Sequence, residues 1–354
     1  MSHAEQWFRP EVLNLPAYVP GGVVDDPEVI KLASNELPFP TLTSVQAAVQ
    51  AELGTLNRYP DMFASGLVAD LATFHNWDGG IVVGNGSTAL IEKILQAVCR
   101  PGSEVVYPWR SFEAYPIAVQ AAGGTSVRVP LTDTGAHDMP ALLAAITDKT
   151  AAIMLCSPNN PTGVALTHSD VADFLNRVPV TIPVILDEAY IDFVDMDDAV
   201  DSRALLDEHP NLVVLRTFSK AYGLSGLRCG YALCSPEFAQ PLTSIMTPFG
   251  VNTLAQTAAR TALAAAPQVR HNVEWIIAQR ARLMSALAEL GVHLPVSQSN
   301  FVWFAYGEKS ADFARACEAE KLRVRLFAGE GVRVTIGEAT GNDRLVAAVS
   351  HFLA

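Results

Sequence analysis

Short apolar runs alternate with amphipathic windows along the chain as far as residue 233. The apolar runs have the length and the Val, Ile and Leu content of strands that are buried on both faces. Windows such as 89–99 and 169–177 lie between them and have helical periodicity. The predicted strands are 81–83, 104–107, 126–129, 151–155, 183–186, 212–215 and 230–233. This alternation predicts an α/β fold with a mostly parallel sheet covered by helices.

The pattern changes from residue 254 onward, where Ala- and Arg-rich helical periodicity extends over 269–290. Two further strands, 300–304 and 333–336, alternate with a helical window at 310–320. This part of the chain predicts a smaller α+β domain. We therefore expect a large domain over 31–245, a small domain over 246–354 and an N-terminal arm, 1–30, that joins the small domain.

Composition narrows the classes of function. The chain has 354 residues, half of them apolar, and a formal net charge of −13 with a pI near 5.0. An acidic surface argues against nucleic-acid binding, and the absence of an apolar run of about 18 residues argues against membrane insertion. The N-terminal residues lack the features of a signal peptide, and the five cysteines form no C-x-x-C pair. We expect a cytoplasmic protein with reduced thiols and no metal.

A loop with one amine and several anion-binding groups follows the strand at 212–215. Lys220 is accompanied by the hydroxyls of Thr217 and Ser219, and Arg228 follows eight residues later. A lysine amine can bond covalently to an aldehyde, and hydroxyls with a guanidinium suit a phosphate dianion. The loop is therefore a candidate site for a phosphorylated aldehyde cofactor.

Three other strand ends carry candidate groups. Asp187 directly follows the strand at 183–186, where a carboxylate could keep a pyridine nitrogen protonated, and Tyr190 could donate to the ring's phenolic oxygen. Asn160 lies in a Pro-rich turn after the strand at 151–155. After 81–83, a glycine turn leads into a helix whose exposed amides would face an anion. The residues of that turn are Gly86, Ser87 and Thr88.

The order of these motifs, N-P-T-G at 160–163, D-E-A-Y at 187–190 and S-K with its glycines and Arg at 219–228, resembles fold-type I PLP-dependent aminotransferases over nearly the whole chain. Segments 15–21, 32–36 and 57–60 are similar to the histidinol-phosphate and aromatic aminotransferase group. The resemblance implies pyridoxal 5′-phosphate as the cofactor. It also implies a homodimer in which Tyr59 of one subunit reaches the cofactor phosphate of the other.

The resemblance assigns further roles. Lys220, Asp187 and Tyr190 would be catalytic, and Arg333 would bind the substrate α-carboxylate through a bidentate fork. An aromatic residue would stack on the cofactor ring; spacing from the glycines at 123 and 124 favours Phe112, and Trp109 remains a competitor. The remaining substrate-binding candidates are Tyr18, Asn35, Asn160 and Arg325.

The implied reaction is a ping-pong transamination in which Lys220 moves the substrate's α-proton. Leu326 and Phe327 follow Arg325, where histidinol-phosphate enzymes commonly have polar residues. An apolar wall there favours an aromatic amino acid, of phenylalanine type, with a 2-oxo acid such as 2-oxoglutarate as its partner. Histidinol phosphate remains the alternative substrate. A PLP-dependent decarboxylase of a phospho-amino acid and a non-catalytic PLP-binding protein remain alternatives of other classes.

Overall fold

The computed structural model describes residues 3–13, 15 and 26–354. A seven-stranded sheet forms its centre, in the order β2-β8-β7-β6-β5-β3-β4. All neighbouring strands pair in parallel except β8, which is antiparallel to both β2 and β7. The strands of the described chain are β1 (Ile30–Lys31), β2 (Gly80–Gly84), β3 (Glu104–Trp109), β4 (Thr125–Pro130), β5 (Thr150–Cys156), β6 (Val184–Asp187), β7 (Leu212–Thr217), β8 (Gly230–Cys234), β9 (Phe301–Phe304), β10 (Leu322–Arg323), β11 (Arg325–Phe327) and β12 (Gly331–Thr335).

Helices cover both faces of this sheet because successive strand residues point to opposite sides. Ile185 packs in one apolar cluster with Leu90, whereas its neighbour Leu186 packs in another with Phe174. The helices are α1 (His3–Trp7), α2 (Pro10–Leu13), α3 (Thr43–Glu52), α4 (Ser65–His75), α5 (Ser87–Val98), α6 (Ala114–Ala121), α7 (Met139–Ala144), α8 (His168–Arg177), α9 (Ser202–Glu208), α10 (Pro236–Ile245), α11 (Thr253–Ala264), α12 (Ala266–Glu289), α13 (Ser310–Ala319) and α14 (Ala339–Leu353). The mostly parallel α/β architecture predicted from the sequence is confirmed.

The C-terminal part of the chain forms a separate antiparallel sheet in the order β11-β12-β9. In its register Arg325 lies directly opposite Arg333, so the two guanidinium groups share one face. Strand β1 pairs in parallel with β10, so residues 30–31 are hydrogen-bonded to the C-terminal part of the chain. The domain boundaries at residues 30 and 245 stay a prediction.

The carboxyl ends of the parallel strands bring the candidate residues together. Asp187 ends β6 and Thr217 ends β7, while Cys156 ends β5 beside Asp187 in the register. In open α/β sheets, ligands bind at this edge. Helix α5 begins at Ser87, as the glycine turn predicted, and points its N-terminus to the same edge. Within the described residues, no helix is both long and apolar enough to cross a membrane.

Candidate active site

A cavity of about 230 Å³ lies at this edge of the sheet, between it and the strands β11 and β12. It gathers most of the residues that the sequence singled out. The predicted residues that line it are Asn35, Ser87, Thr88, Phe112, Asn160, Asp187, Tyr190, Thr217, Ser219, Lys220, Arg228, Arg325 and Arg333. Ala33, Ser34, Cys156, Ala189 and Ser225 also line it.

Lys220 projects into the cavity from the loop that follows β7. Its Nζ donates a hydrogen bond of 3.1 Å to the carbonyl oxygen of Ser34. Burial, with a smaller effect from the nearby guanidiniums of Arg333 and Arg228, lowers the pKa of this amine to about 7. A large fraction of the amine is therefore neutral near pH 7, as a nucleophile or a proton acceptor requires.

Asp187 places a buried carboxylate at the end of β6. Its Oδ2 accepts a hydrogen bond of 2.9 Å from the Tyr115 hydroxyl, and its Oδ1 accepts one of 3.2 Å from the amide of Ala189. Burial raises the pKa of this carboxyl to about 6, and the Tyr115 hydrogen bond opposes the rise. Such a carboxylate is suited to hold a cation, such as a protonated ring nitrogen, in an otherwise dry site.

A hydrogen-bonded group of side chains closes the cavity on the side of β12. Asn35 donates from Nδ2 to the Tyr190 hydroxyl at 2.8 Å, and Arg333 donates from Nη1 to Oδ1 of Asn160 at 2.6 Å. Nη2 of Arg333 donates to the carbonyl oxygen of Ala33 at 2.7 Å. These two acceptors are uncharged, so they orient the guanidinium without cancelling its charge. A guanidinium oriented in this way suits a carboxylate.

The opposite end of the cavity has the features of an anion site. Arg228 has a left-handed backbone with φ of 58°, and its Nη1 donates to Oγ of Ser219 at 3.3 Å. Gly86, with φ of 83°, precedes the N-terminus of α5, and a Cβ there would lie 2.8 Å from Nη2 of Arg228. Glycine therefore lets this guanidinium approach the helix N-terminus, where Ser87 and Thr88 begin α5.

The two aromatic candidates for ring stacking occupy different places. Phe112 lines the cavity. Trp109 instead contacts two guanidiniums, with Cζ of Arg110 4.2 Å and Cζ of Arg128 4.4 Å from its ring centroid. This placement favours Phe112 as the stacking residue, and the assignment stays a prediction.

The apolar wall expected from Leu326 and Phe327 is not found in the cavity, and that expectation was wrong. Alternation along β11 points Leu326 to the opposite face, where it packs against the main apolar cluster. Phe327 lies on the face of Arg325, but its ring packs against that guanidinium at 5.1 Å and is absent from the cavity lining.

Tyr59 lies away from the cavity of its own chain. Tyr59 is 82% exposed and stacks on Phe249 with ring centroids 4.5 Å apart. Its position leaves the prediction of a role in a neighbouring subunit untested. Tyr18 lies outside the described residues. In the described part of the chain, no group of three or more His, Cys, Asp or Glu side chains could hold a metal ion.

The sequence did not identify Ser34, Glu113 or Tyr115 as site residues. Tyr115 follows Phe112 by three residues at the start of α6, and this spacing offered a signal that the two rings lie close together. Glu113 forms an ion pair with Arg325, and no local pattern marks a contact between residues so far apart in the chain. Ser34 contributes a backbone carbonyl, which any residue type could supply.

Comparisons with known proteins identify the family of the chain. The family model for aminotransferase class I and II matches residues 27–349. The chain is 44% identical over 355 residues to a protein named aromatic amino acid aminotransferase from Streptomyces avermitilis, covering 99% of both chains. It is 47% identical over 338 residues to one of the same name from Mycobacteroides abscessus, covering 95% of this chain and 96% of that one.

Among solved structures, a histidinol-phosphate aminotransferase from Sinorhizobium meliloti in complex with pyridoxal-5′-phosphate superimposes with a TM-score of 0.87. The identity is 29%, and the match covers 98% of this chain and 97% of that one. Family model, sequence relatives and fold thus agree, and the chain belongs to the class I and II aminotransferases.

Proposed function

We propose that this chain is a PLP-dependent aminotransferase that transfers the amino group of an aromatic amino acid, of phenylalanine type, to a 2-oxo acid such as 2-oxoglutarate. The observation that carries the proposal is the cavity that combines the Lys220 amine, the Asp187 carboxylate and the Arg333 guanidinium. The names of the relatives at 44% and 47% identity support the aromatic substrate.

The residues present fit pyridoxal 5′-phosphate. Arg228, Ser219 and the N-terminus of α5 form an anion site for the phosphate, with Thr217 beside them. Asp187 suits the ring nitrogen, Tyr190 and Asn160 suit the phenolic oxygen, and Phe112 suits the ring face. Lys220 suits the aldehyde carbon. When bound, the cofactor supplies an electron sink for the charge that develops at the substrate's α-carbon.

The chain's own residues would bind the substrate, orient it and move its α-proton. Arg333, already aligned by Asn160 and the Ala33 carbonyl, would hold the substrate α-carboxylate in a fork. This contact would place the α-carbon near Lys220, whose neutral amine would take up the α-proton. The burial of Asp187 and Tyr190 would exclude water from the reacting groups.

The charge balance of the cavity favours an aromatic substrate over histidinol phosphate. Of the two arginines that share a face, Arg325 is neutralised by Glu113, whose carboxylate oxygens lie 2.7 Å and 2.8 Å from its Nη2. Arg333 lines the cavity and suits the single carboxylate of an aromatic amino acid. A phosphate dianion would face a cation whose charge is already balanced, which is unfavourable in a buried site. The likeness to the histidinol-phosphate aminotransferase from Sinorhizobium meliloti keeps histidinol phosphate as the second candidate.

We further propose a homodimer with shared active sites, working in the cytoplasm. Support comes from apolar side chains that stay exposed around Tyr59, namely Leu53, Leu56, Met62 and Phe63. Such a patch on one chain suits contact with a second copy. The five cysteines, all unpaired, suit a reducing compartment.

The test is a comparison of steady-state rates in the cofactor-loaded enzyme. We expect kcat/KM with phenylalanine and 2-oxoglutarate to exceed that with histidinol phosphate by at least about tenfold, since the ion-paired Arg325 disfavours the phosphate. A preference for histidinol phosphate would contradict the aromatic assignment. Release of carbon dioxide without any 2-oxo acid would instead indicate a decarboxylase, and inactivity with all donors would indicate a binding protein.

A further inference from the structure

Glu113 is the acidic partner of a cation inside the candidate site. Both carboxylate oxygens accept hydrogen bonds from Nη2 of Arg325, at 2.8 Å and 2.7 Å. The Arg325 side chain is 9% exposed and lines the cavity, whereas Glu113 is 24% exposed and lies behind it. Both contacts involve the same guanidinium nitrogen, Nη2. Glu113 therefore does not form the bidentate pairing with two nitrogens that a carboxylate can make with an arginine.

Arg325 is held in place by contacts other than Glu113. Its guanidinium Cζ lies 5.1 Å from the centroid of the Phe327 ring, which also contacts Arg110 at 5.3 Å and Trp303 at 5.2 Å. Arg110 is ion-paired to Glu330 and stacks on Trp109. Arg325 is thus packed in a row of alternating guanidinium and aromatic groups. In the Arg325–Glu113 ion pair, Glu113 is the more exposed side chain. If the pair opens, the carboxylate is the part free to move.

The charges in the cavity match only one of the two substrates of the proposed reaction. An aromatic amino acid brings one carboxylate for Arg333 and leaves the Arg325–Glu113 pair closed. A dicarboxylic 2-oxo acid brings a second carboxylate into the same cavity. That charge would be poorly paired unless it replaces Glu113 on Arg325, an exchange of one carboxylate for another that keeps the local charge balanced.

We propose that Glu113 is a specificity-determining residue, an internal carboxylate that occupies Arg325 while an aromatic substrate is bound and gives way to the distal carboxylate of a dicarboxylic substrate. The inference rests on the proposed function, because it concerns the second substrate of that reaction. Glu113 is the N-terminal flanking residue of α6, where the helix dipole favours its negative charge after it leaves Arg325. The Arg325–Glu113 pair therefore determines the relative affinity of the site for aromatic and dicarboxylic ligands.

The experiment measures the binding of two unreactive acids to the cofactor-loaded enzyme by calorimetry. Glutarate represents the dicarboxylic substrate and 3-phenylpropionate the aromatic one. Glu113→Gln removes the competing charge, so we expect glutarate to bind about tenfold more tightly, the scale of one charged hydrogen-bond pair, with little change for 3-phenylpropionate. Glu330→Gln is the matched control, because it also removes the acidic partner of an arginine, Arg110, that packs on Phe327. We expect this variant to leave the ratio of the glutarate and 3-phenylpropionate dissociation constants unchanged.

Arg325→Gln gives the opposite expectation, a loss of glutarate binding with 3-phenylpropionate largely retained. If Glu113→Gln does not fold, as judged by its melting curve, Glu113→Asp replaces it and is expected to act in the same direction more weakly. Equal changes in both constants, or weaker glutarate binding, would overturn the role of Glu113. Failure of the wild-type enzyme to transaminate phenylalanine would instead refute the proposed function, so the two failures are distinguishable.

Discussion

The Tyr115 hydroxyl donates a 2.9 Å hydrogen bond to Oδ2 of Asp187, and both side chains are buried in the floor of the candidate site. The hydrogen bond stabilises the ionised form of a carboxylate whose burial favours the neutral form. Tyr115 is thus a positioning residue that acts through Asp187.

Tyr115→Phe is expected to raise the pKa of Asp187 further, because the variant loses the donor that stabilises the carboxylate. A lost hydrogen bond to a charged group amounts to about 1.5–3 kcal/mol, so the pKa of the Asp187 carboxyl should rise by about one to two pH units and change the acidic side of the kcat profile. The measurement is kcat against pH for the loaded enzyme. Tyr107→Phe is the control, since Tyr107 packs edge-on against Tyr115 and its hydroxyl contacts Arg128. Equal profiles for the two variants would contradict the role of Tyr115.

Asp187 is a buried charge, so replacing it with a neutral residue should stabilise the cofactor-free protein against unfolding. The pKa rises from 3.8 to about 6 on folding, so the folded protein binds more protons than the unfolded chain between these values. Stability from this group is therefore present below pH 3.8 and is lost as the pH rises through about 6. We expect Asp187→Asn to raise the free energy of unfolding by about 1–3 kcal/mol at pH 8.

Chemical denaturation at several pH values checks this expectation. The advantage of Asp187→Asn is expected to shrink as the pH falls below 6 towards 4, where the wild-type carboxyl is protonated. The same variant is expected to lose activity, because an amide cannot keep a ring nitrogen protonated. A variant that is less stable than the wild type at pH 8 would show that the carboxylate stabilises the fold.

Phe112 and Trp109 are expected to differ when each is replaced by alanine. Phe112→Ala removes a side chain of the cavity wall, and we expect cofactor affinity to fall by about tenfold, the upper range for an aromatic contact. Trp109→Ala removes the ring between Arg110 and Arg128, so it is expected to lower the melting temperature and to change cofactor affinity less. Cofactor titration and thermal melting of both variants decide the question, and the reverse pattern would assign stacking to Trp109.

Most of the sheet and much of the site could be predicted, because apolar strands of this fold are followed directly by polar residues. Asp187 and Thr217 end such strands and meet at one edge. The partners of these groups could not be predicted. Tyr115 and Asp187 are 72 residues apart, and Glu113 and Arg325 are 212 apart, so their contacts depend on how the elements pack. Leu326 was expected in an apolar wall beside the cavity, but it lies on the opposite face of β11 and packs against the main apolar cluster.

The exposed Tyr59 predicts that two subunits build each active site. If its hydroxyl donates to the cofactor phosphate of the partner subunit, Tyr59→Phe should weaken cofactor retention by about 1.5–3 kcal/mol. Mixing Tyr59→Phe with Lys220→Ala subunits then gives heterodimers in which one site holds both substitutions and the other holds neither. We expect mixing to restore wild-type cofactor retention and activity in one site per heterodimer. Activity no higher than that of the separate variants would place Tyr59 within its own subunit or outside the site.

A single turnover with phenylalanine alone tests the proposed transamination without any second substrate. We expect the loaded wild-type enzyme to form about one phenylpyruvate per bound cofactor, with a change in the cofactor's absorbance and no carbon dioxide, as a half-transamination requires. Lys220→Ala lacks the amine that we propose takes up the α-proton, and it is expected to form almost none on the same timescale. Phenylpyruvate formation by Lys220→Ala at the wild-type rate, or none by the wild type, would contradict the assignment of this cavity as an aminotransferase site.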